Sequence, residues 1–207
     1  KNPNMKLSKA WKTGFRDMVA AYLGEIPTNF TVNGEEYTPK SYLASLGIDM
    51  SDYVDISSWT HHPFYETMVL EVPDNWRGRD AYNVPLDDMM AIIDNALDNG
   101  YTVAWASDVS EDGFTGAGIA VVPDMTKTVQ GSDQVRWIGS QEINGMPLYM
   151  QTPCPEMVIT QELRQEGFDD YSTTDDHGMH IYGKAVDQNG TEYYMVKNSW
   201  GSVGPYD

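Results

Sequence analysis

The chain has 207 residues, of which 41% are hydrophobic and 12% aromatic, so it can bury a core and is not intrinsically disordered. Its 31 acidic and 13 basic side chains give a formal net charge of −18, which disfavours binding to the phosphate backbone of nucleic acids. No stretch approaches the ~20 apolar residues of a membrane-spanning helix, and a single cysteine cannot form an intrachain disulfide.

The first half of the chain combines helical and strand patterns. Between Ser8 and Gly24 the apolar residues recur at helical spacing, which predicts an amphipathic helix that packs one face into the core. That face consists of Trp11, Phe15, Met18, Val19 and Tyr22. The further elements predicted in this half are, in chain order, a hairpin around Asn33-Gly34, a short helix from Thr38-Pro39, strands over 53–59 and 67–72, and a polar loop over 74–85.

The second half is predicted to be richer in strands. Its helices are indicated by apolar spacing and capping residues, and its strands by short apolar or aromatic runs. The predicted elements are, in chain order, an amphipathic helix over 86–97 ended by Gly100, a buried strand over 101–106, an irregular excursion over 123–160, a short helix from Thr160 to Phe168, and a hairpin from Asp175 to Gly201.

Two histidine pairs suggest metal ligands, but their predicted geometry disfavours both. His61 and His62 are adjacent, and neighbouring residues of an extended chain point to opposite faces. Pro63 keeps His62 extended, so this stretch is interpreted as a packed loop near the site. His177 and His180 lie three residues apart on a predicted strand and also diverge. We therefore predict no metal ion and no cofactor.

The stretch from Asp108 to Gly113 matches the first half of a calcium-binding loop, with oxygen-bearing side chains at alternate positions and glycine at the sixth. The twelfth position, where such a loop needs a bidentate glutamate, is Ile119. The stretch is therefore interpreted as an acidic turn that follows a strand.

The last hairpin brings His177, at the start of its first strand, close to Asn198, at the end of its second. An imidazole that acts as a base needs a partner to fix its tautomer, and a carboxamide does this without adding charge. Trp200 can shield that hydrogen bond from water. A structural histidine beside a turn asparagine would give the same pattern, and Asp175 and Asp176 are interpreted as solvated loop carboxylates.

A strand that opens with His177, followed by one that ends in Asn198-Ser199-Trp200-Gly201, resembles the papain-like cysteine peptidases, and specifically their bleomycin hydrolase and aminopeptidase C family. The other stretches that carry the resemblance are Thr60 to Tyr65, Asp74-Asn75-Trp76, Tyr82-Asn83, Ser107-Asp108-Val109, Ile159 to Glu162, Thr173 to Met179 and Asp187 to Gly201. The resemblance implies an α+β papain-like fold, mainly the antiparallel β-barrel-side lobe with helical insertions. It also implies a helical insert region over 1–100 and a β-rich lobe over 101–207 that carries the His/Asn hairpin.

In that family the nucleophile is a cysteine in a Gln…Gly-x-Cys-Trp context far upstream of the histidine, and this chain has no such stretch. Cys154 stands close before His177 and lacks both the preceding Gln and the following Trp, so it is interpreted as an ordinary loop cysteine. The chain is therefore interpreted as an internal or processed piece of a larger enzyme. It would supply His177, Asn198 and the supporting Trp200, and the missing N-terminal half would supply the cysteine.

The resemblance implies peptide-bond hydrolysis by a thiolate–imidazolium pair, with a peptide as substrate. Members of the family are often hexameric aminopeptidases in which a C-terminal tail restricts cleavage to the substrate's amino terminus. The alternative function is a catalytically inactive globular or binding module that keeps the fold. The compartment stays open between cytoplasmic and exported, because the chain is interpreted as an internal piece and the amino terminus that would carry an export signal is not there to judge by.

Overall fold

The computed structural model describes residues 8–111, 113–114, 116–124, 142–143, 146–147 and 153–201. These residues form a mixed α+β architecture of helices and small sheets, as predicted. The chain divides into two compact units, Lys1–Tyr53 and Val54–Asp207. Within the second unit, Gln161 accepts hydrogen bonds from Ser58 and Leu86 and so ties residues 54–100 to the later part of the chain.

The first unit contains helix α1 (Ala10–Leu23), strands β1 (Phe30–Val32) and β2 (Glu35–Tyr37), helix α2 (Pro39–Ser45) and a 3-10 turn (Met50–Asp52). β1 and β2 form the predicted hairpin, with Asn33 and Gly34 both at positive φ. α2 begins at its predicted cap. Thr38 Oγ1 accepts the Ser41 N–H at 3.1 Å, and Ser41 Oγ accepts the Thr38 N–H at 2.9 Å.

Helix α1 has close to the predicted bounds but not the predicted packing. None of its residues is buried. The large side chains of its apolar face are between 56% and 86% exposed, namely Trp11, Phe15, Met18 and Tyr22. The prediction that this face lies in the core is therefore wrong. Periodicity shows which face of a helix is apolar, but it does not show whether a packing partner lies within reach.

Three short strands form the first sheet of the second unit: β3 (Ile56–Ser57), β4 (Glu66–Val69) and β5 (Asp80–Asn83), in the order β3-β5-β4. β3 runs parallel to β5, and β4 runs antiparallel to it. The prediction of a continuous polar loop over 74–85 is wrong at β5. Asp and Asn have low strand propensity, and here pairing on both sides of the strand outweighs that preference.

The second sheet is antiparallel and carries the predicted hairpin. Its strands are β6 (Val103–Ser107), β9 (His177–Val186) and β10 (Glu192–Lys197), in the order β10-β9-β6. A separate two-stranded hairpin is formed by β7 (Glu142–Ile143) and β8 (Met146–Pro147). The side chains of β6 alternate between half-buried and exposed, so the strand predicted to be fully buried has one face in solvent. The strands that the structure describes do not close into a barrel.

Helices α3 (Leu86–Asp98) and α4 (Gln161–Asp169) complete the second unit. α3 packs against the turn end of the β9–β10 hairpin. The Tyr194 hydroxyl donates to Asp94 at 3.0 Å, and Lys184 Nζ lies 2.7 Å from Asp98 Oδ1. Among the described residues, no helix combines the length and the apolarity that crossing a bilayer requires.

The loop that follows β3 is held by a buried amide. Asn83 is completely buried, and its Oδ1 accepts the Trp59 N–H at 2.9 Å. Its Nδ2 donates at 2.9–3.1 Å to three backbone carbonyl oxygens of this loop, those of Trp59, His62 and Pro63. A side chain that pairs with four backbone groups of the loop, two of them buried, fixes the course of the loop, because another course would leave the buried groups unpaired.

Candidate functional site

A β-bulge in β9 decides which side chains share a face at the open end of the hairpin. Met195 pairs with Gly183, but the next residue, Val196, pairs with Ile181. Tyr182 is therefore an extra residue on β9, opposed by no residue of β10. Because side chains alternate between the two faces of a sheet, one extra residue changes which residues of the two strands face the same way.

The bulge places Asn198 on the face that carries His177. Lys197 pairs with His180, so the next residue, Asn198, lies opposite Met179. Met179 and His177 are two residues apart on β9, so their side chains share a face. A ladder without the extra residue would put Asn198 opposite His180, on the other face. The contact between the two predicted site residues thus depends on a backbone irregularity five residues from the imidazole.

The His177 ring and the Asn198 amide are hydrogen-bonded, with 2.8 Å between His177 Nε2 and Asn198 Oδ1. The same amide oxygen accepts the Ser199 N–H at 2.7 Å, which fixes the orientation of the amide. Because a carboxamide oxygen only accepts, Nε2 carries the proton and Nδ1 is the nitrogen left for chemistry. No hydrogen bond to Nδ1 is found within the part of the chain that the structure describes.

Aromatic rings cover this pair on one side. The Trp200 ring centroid lies 5.0 Å from that of His177, with the planes tilted by 41°. Phe114 meets Trp200 edge-on, with centroids 5.7 Å apart and planes at 85°. Trp200 is still 50% exposed, so the indole shields the hydrogen bond from one direction and leaves the site open from another.

The two aspartates before His177 differ in environment. Asp176 is exposed, but its carboxylate accepts the Val109 N–H at 3.1 Å, and its own N–H donates to the Ser107 carbonyl at 3.2 Å. Burial, aided by the charge of Asp74, raises the pKa of Asp175. Within the described residues neither carboxylate is paired with the imidazole. Asp176 therefore joins the start of β9 to the end of β6.

Cys154 does not have the environment of an activated thiol. Burial, with a smaller contribution from the charge of Glu156, raises its pKa to about 11. Nucleophilic cysteines have the opposite shift, because a nearby positive charge or a helix N-terminus stabilises the thiolate. The protonated thiol agrees with the interpretation of Cys154 as an ordinary loop cysteine.

The prediction that His61 and His62 diverge is wrong. The two residues lie in a turn between β3 and β4 rather than in an extended strand, and their ring centroids are 4.6 Å apart. Glu71 approaches both rings, at 3.0 Å from His62 Nε2 and 3.5 Å from His61 Nε2. In the second histidine pair the two side chains lie in different environments, since His177 is half-buried and His180 is exposed.

The carboxylate of Asp108, in the acidic turn, accepts hydrogen bonds from other groups of the protein. Asp108 Oδ1 accepts the N–H and the hydroxyl of Ser110 at 2.7 and 2.6 Å, and its Oδ2 accepts the Thr174 N–H at 2.7 Å. Asp112, the fifth position of the candidate calcium loop, lies outside the described residues. The carboxylate of Asp108 therefore closes a turn and joins it to the segment before β9.

Two features of this site were not predicted from the sequence. One is the bulge at Tyr182, for which a regular aromatic and β-branched pattern gives no indication. The other is Phe114, which follows Gly113 in the turn after β6. A Cβ on Gly113 would collide with the carbonyl of Val121, so the glycine permits the close backbone approach that places Phe114. The sequence feature that could have indicated this contact is a glycine followed by an aromatic residue.

Comparisons with known proteins relate this chain to others by fold alone. The chain superposes on the crystal structure of PepW from Lactobacillus rhamnosis HN001 with a TM-score of 0.59 and 18% sequence identity. The match covers 93% of this chain but 41% of PepW, so the chain spans about two fifths of the length of that protein. No protein-family model and no curated protein matches the chain.

Proposed function

We propose that this chain is the base-bearing part of a papain-like cysteine peptidase of the aminopeptidase C type. His177 is the catalytic imidazole, Asn198 is its orienting partner and Trp200 shields their contact. The nucleophilic cysteine and the oxyanion donor come from an upstream segment of the same enzyme. The single observation that carries the proposal is the hydrogen bond of 2.8 Å between His177 Nε2 and Asn198 Oδ1.

The chemistry follows from the tautomer that this bond selects. With the proton of Nε2 held by Asn198, Nδ1 accepts the thiol proton, and the resulting imidazolium stabilises the thiolate. Such pairing lowers a thiol pKa from about 8.5 to about 3–4. The thiolate attacks the peptide carbonyl carbon, the C–N bond breaks, and the proton on Nδ1 passes to the leaving amine. The imidazole then takes a proton from water, whose oxygen cleaves the thioester.

Three further observations support this assignment. Ser199 fixes the Asn198 amide so that its oxygen faces the imidazole. Trp200 lies against the ring and reduces competition by water for the Nε2–H bond. The fold likeness to PepW covers nearly all of this chain, so the hairpin belongs to an architecture that other proteins share.

A thiol-directed probe on the complete enzyme tests the proposal. A peptidyl epoxide that alkylates activated cysteines should label the wild-type protein at neutral pH, and His177→Ala should reduce the labelling rate at least 100-fold. His180→Ala is the matched control, because His180 is exposed on the other face of the same strand. Absence of labelling in a correctly folded complete protein would favour the inactive binding module.

A further inference from the structure

A second cluster of ligating side chains lies away from the hairpin, at the turn between β3 and β4. It consists of His61, His62 and Glu71, whose nearest nitrogen and oxygen atoms all lie within 4.8 Å of one another. His62 Nε2 is 3.0 and 3.1 Å from the two Glu71 oxygens, and His61 Nε2 is 3.5 Å from the nearer one. Two imidazoles and a carboxylate therefore converge on one point.

The spacing of these atoms suits a first-row divalent ion. Zinc binds imidazole nitrogen and carboxylate oxygen at about 2.0–2.2 Å, so tetrahedral ligands lie about 3.3–3.6 Å from one another. The histidine–glutamate distance of 3.5 Å lies in that range, and the distance of 3.0 Å is slightly shorter.

The two rings are supported by the surrounding fold. The His61 ring stacks on Phe168 of α4, with centroids 5.1 Å apart and planes within 10°. The carbonyl of His62 accepts from the buried Asn83, which fixes the backbone just after the second histidine. Their side chains are 32% and 27% exposed, so little conformational freedom remains to be lost when an ion binds.

Gln165 sets the tautomer of the neutral His61 ring. Its oxygen accepts the Thr60 N–H at 2.7 Å and its nitrogen donates to Asp169 at 2.8 Å, so the amide nitrogen faces His61 Nδ1 at 3.1 Å. His61 Nδ1 accepts this bond, and the proton of the neutral ring sits on Nε2, toward Glu71. For Nε2 to bind a metal, the proton must move to Nδ1 and the Gln165 amide must turn.

We infer that His61, His62 and Glu71 form a binding site for a divalent transition-metal ion such as Zn²⁺, with water in the fourth position. His62 and Glu71 receive the ion first, and His61 completes the site as the Gln165 amide turns. The bound ion joins the β3–β4 turn to the chain just after β4. The site is independent of the peptidase assignment, because none of its residues contacts the hairpin pair.

Metal titration of the whole chain tests this site without any activity assay. Calorimetry with Zn²⁺ should give one ion per chain, and Co²⁺ should give the visible absorption of a four-coordinate nitrogen and oxygen site. His61→Ala, His62→Ala and Glu71→Gln should each weaken binding at least tenfold, with the fold checked by circular dichroism. Equal affinity in wild type and these variants, or no binding below millimolar Zn²⁺, would overturn the inference.

One further variant separates this site from other histidines. His180→Ala removes an exposed imidazole elsewhere and should leave Zn²⁺ affinity unchanged, and loss of binding in it would contradict the assignment.

Discussion

Phe114 stands edge-on to Trp200, with ring centroids 5.7 Å apart and planes at 85°. The two rings come from distant parts of the chain, and the indole lies in turn against the imidazole of His177. The turn after β6 therefore reaches the candidate site through an aromatic contact. Edge-to-face pairs of this kind contribute about 0.5–1.5 kcal/mol beyond the burial of their area.

Under the proposed peptidase function, Phe114→Ala should lower kcat/KM of the complete protein by a factor of about two to ten, because loss of the edge contact frees the half-exposed Trp200 to leave the imidazole. Phe114→Leu should fall between wild type and alanine. Tyr101→Ala, which removes a ring that is 70% exposed in the same unit, is the control and should change kcat/KM little. Equal losses in the Tyr101 and Phe114 alanine variants would mean that the effect is not specific to this contact.

Under the same proposed function, Asn198→Ala should reduce kcat/KM of the complete protein by at least tenfold, because Nε2 loses the acceptor that fixes the tautomer. Asn198→Asp keeps an oxygen acceptor and should lose less. The measurement is kcat/KM against pH, in which the alanine variant should also show an altered acid limb. If alanine and aspartate cost the same, tautomer control is not the role of this amide.

Cys154 should react slowly with iodoacetamide in the native protein. With its pKa raised to about 11, about one thiol in a thousand is ionised at pH 8, against roughly a quarter in an unfolded chain whose thiol pKa is about 8.5. Because the neutral form is the one favoured by folding, the rate should climb as the pH rises toward 11. Mass spectrometry of native and urea-unfolded samples measures both rates. Rapid native alkylation at pH 7 would show that the thiol is activated.

Asn83→Ala should destabilise the second unit by about 2–4 kcal/mol, because it leaves four backbone groups, two of them buried, without this partner. Asn83→Asp should be at least as damaging, since a carboxylate cannot donate to the three carbonyl oxygens. Urea unfolding gives the free-energy change. Asn95→Ala on the surface of α3 is the control and should cost less than 1 kcal/mol. A similar loss of unfolding free energy in both alanine variants would show that Asn83 has no special role in holding the loop.

Residues with strong local preferences were predictable from the sequence. Thr38 and Thr160 cap their helices as expected, and the Asn33-Gly34 turn and the final hairpin form where the pattern placed them. The proximity of His177 and Asn198 was also predictable, because the two ends of a hairpin are neighbours in space.

Features that depend on distant partners were not predictable. β5 is a strand only because two other strands flank it, and the apolar face of α1 is exposed although its periodicity is that of a buried helix. The convergence of His61 and His62 depends on a turn that Asn83 holds from 21 residues away. Local patterns cannot report such contacts, because the interaction that decides each case lies elsewhere in the chain.

The additional residue in β9 has a consequence for the opposite end of the ribbon. Lys184 pairs with Tyr194, and both side chains point toward the carboxylates of α3. Tyr194 and Asn198 face the same way along β10 and its continuation. The contact with α3 and the hydrogen bond to His177 therefore lie on the same face of the hairpin. Deleting one residue from β10 between Tyr194 and Asn198 would put these two side chains on opposite faces, whereas a longer or shorter connection at 187–191 would disturb neither. The hairpin should therefore tolerate length variation in the connection between its arms but not in β10.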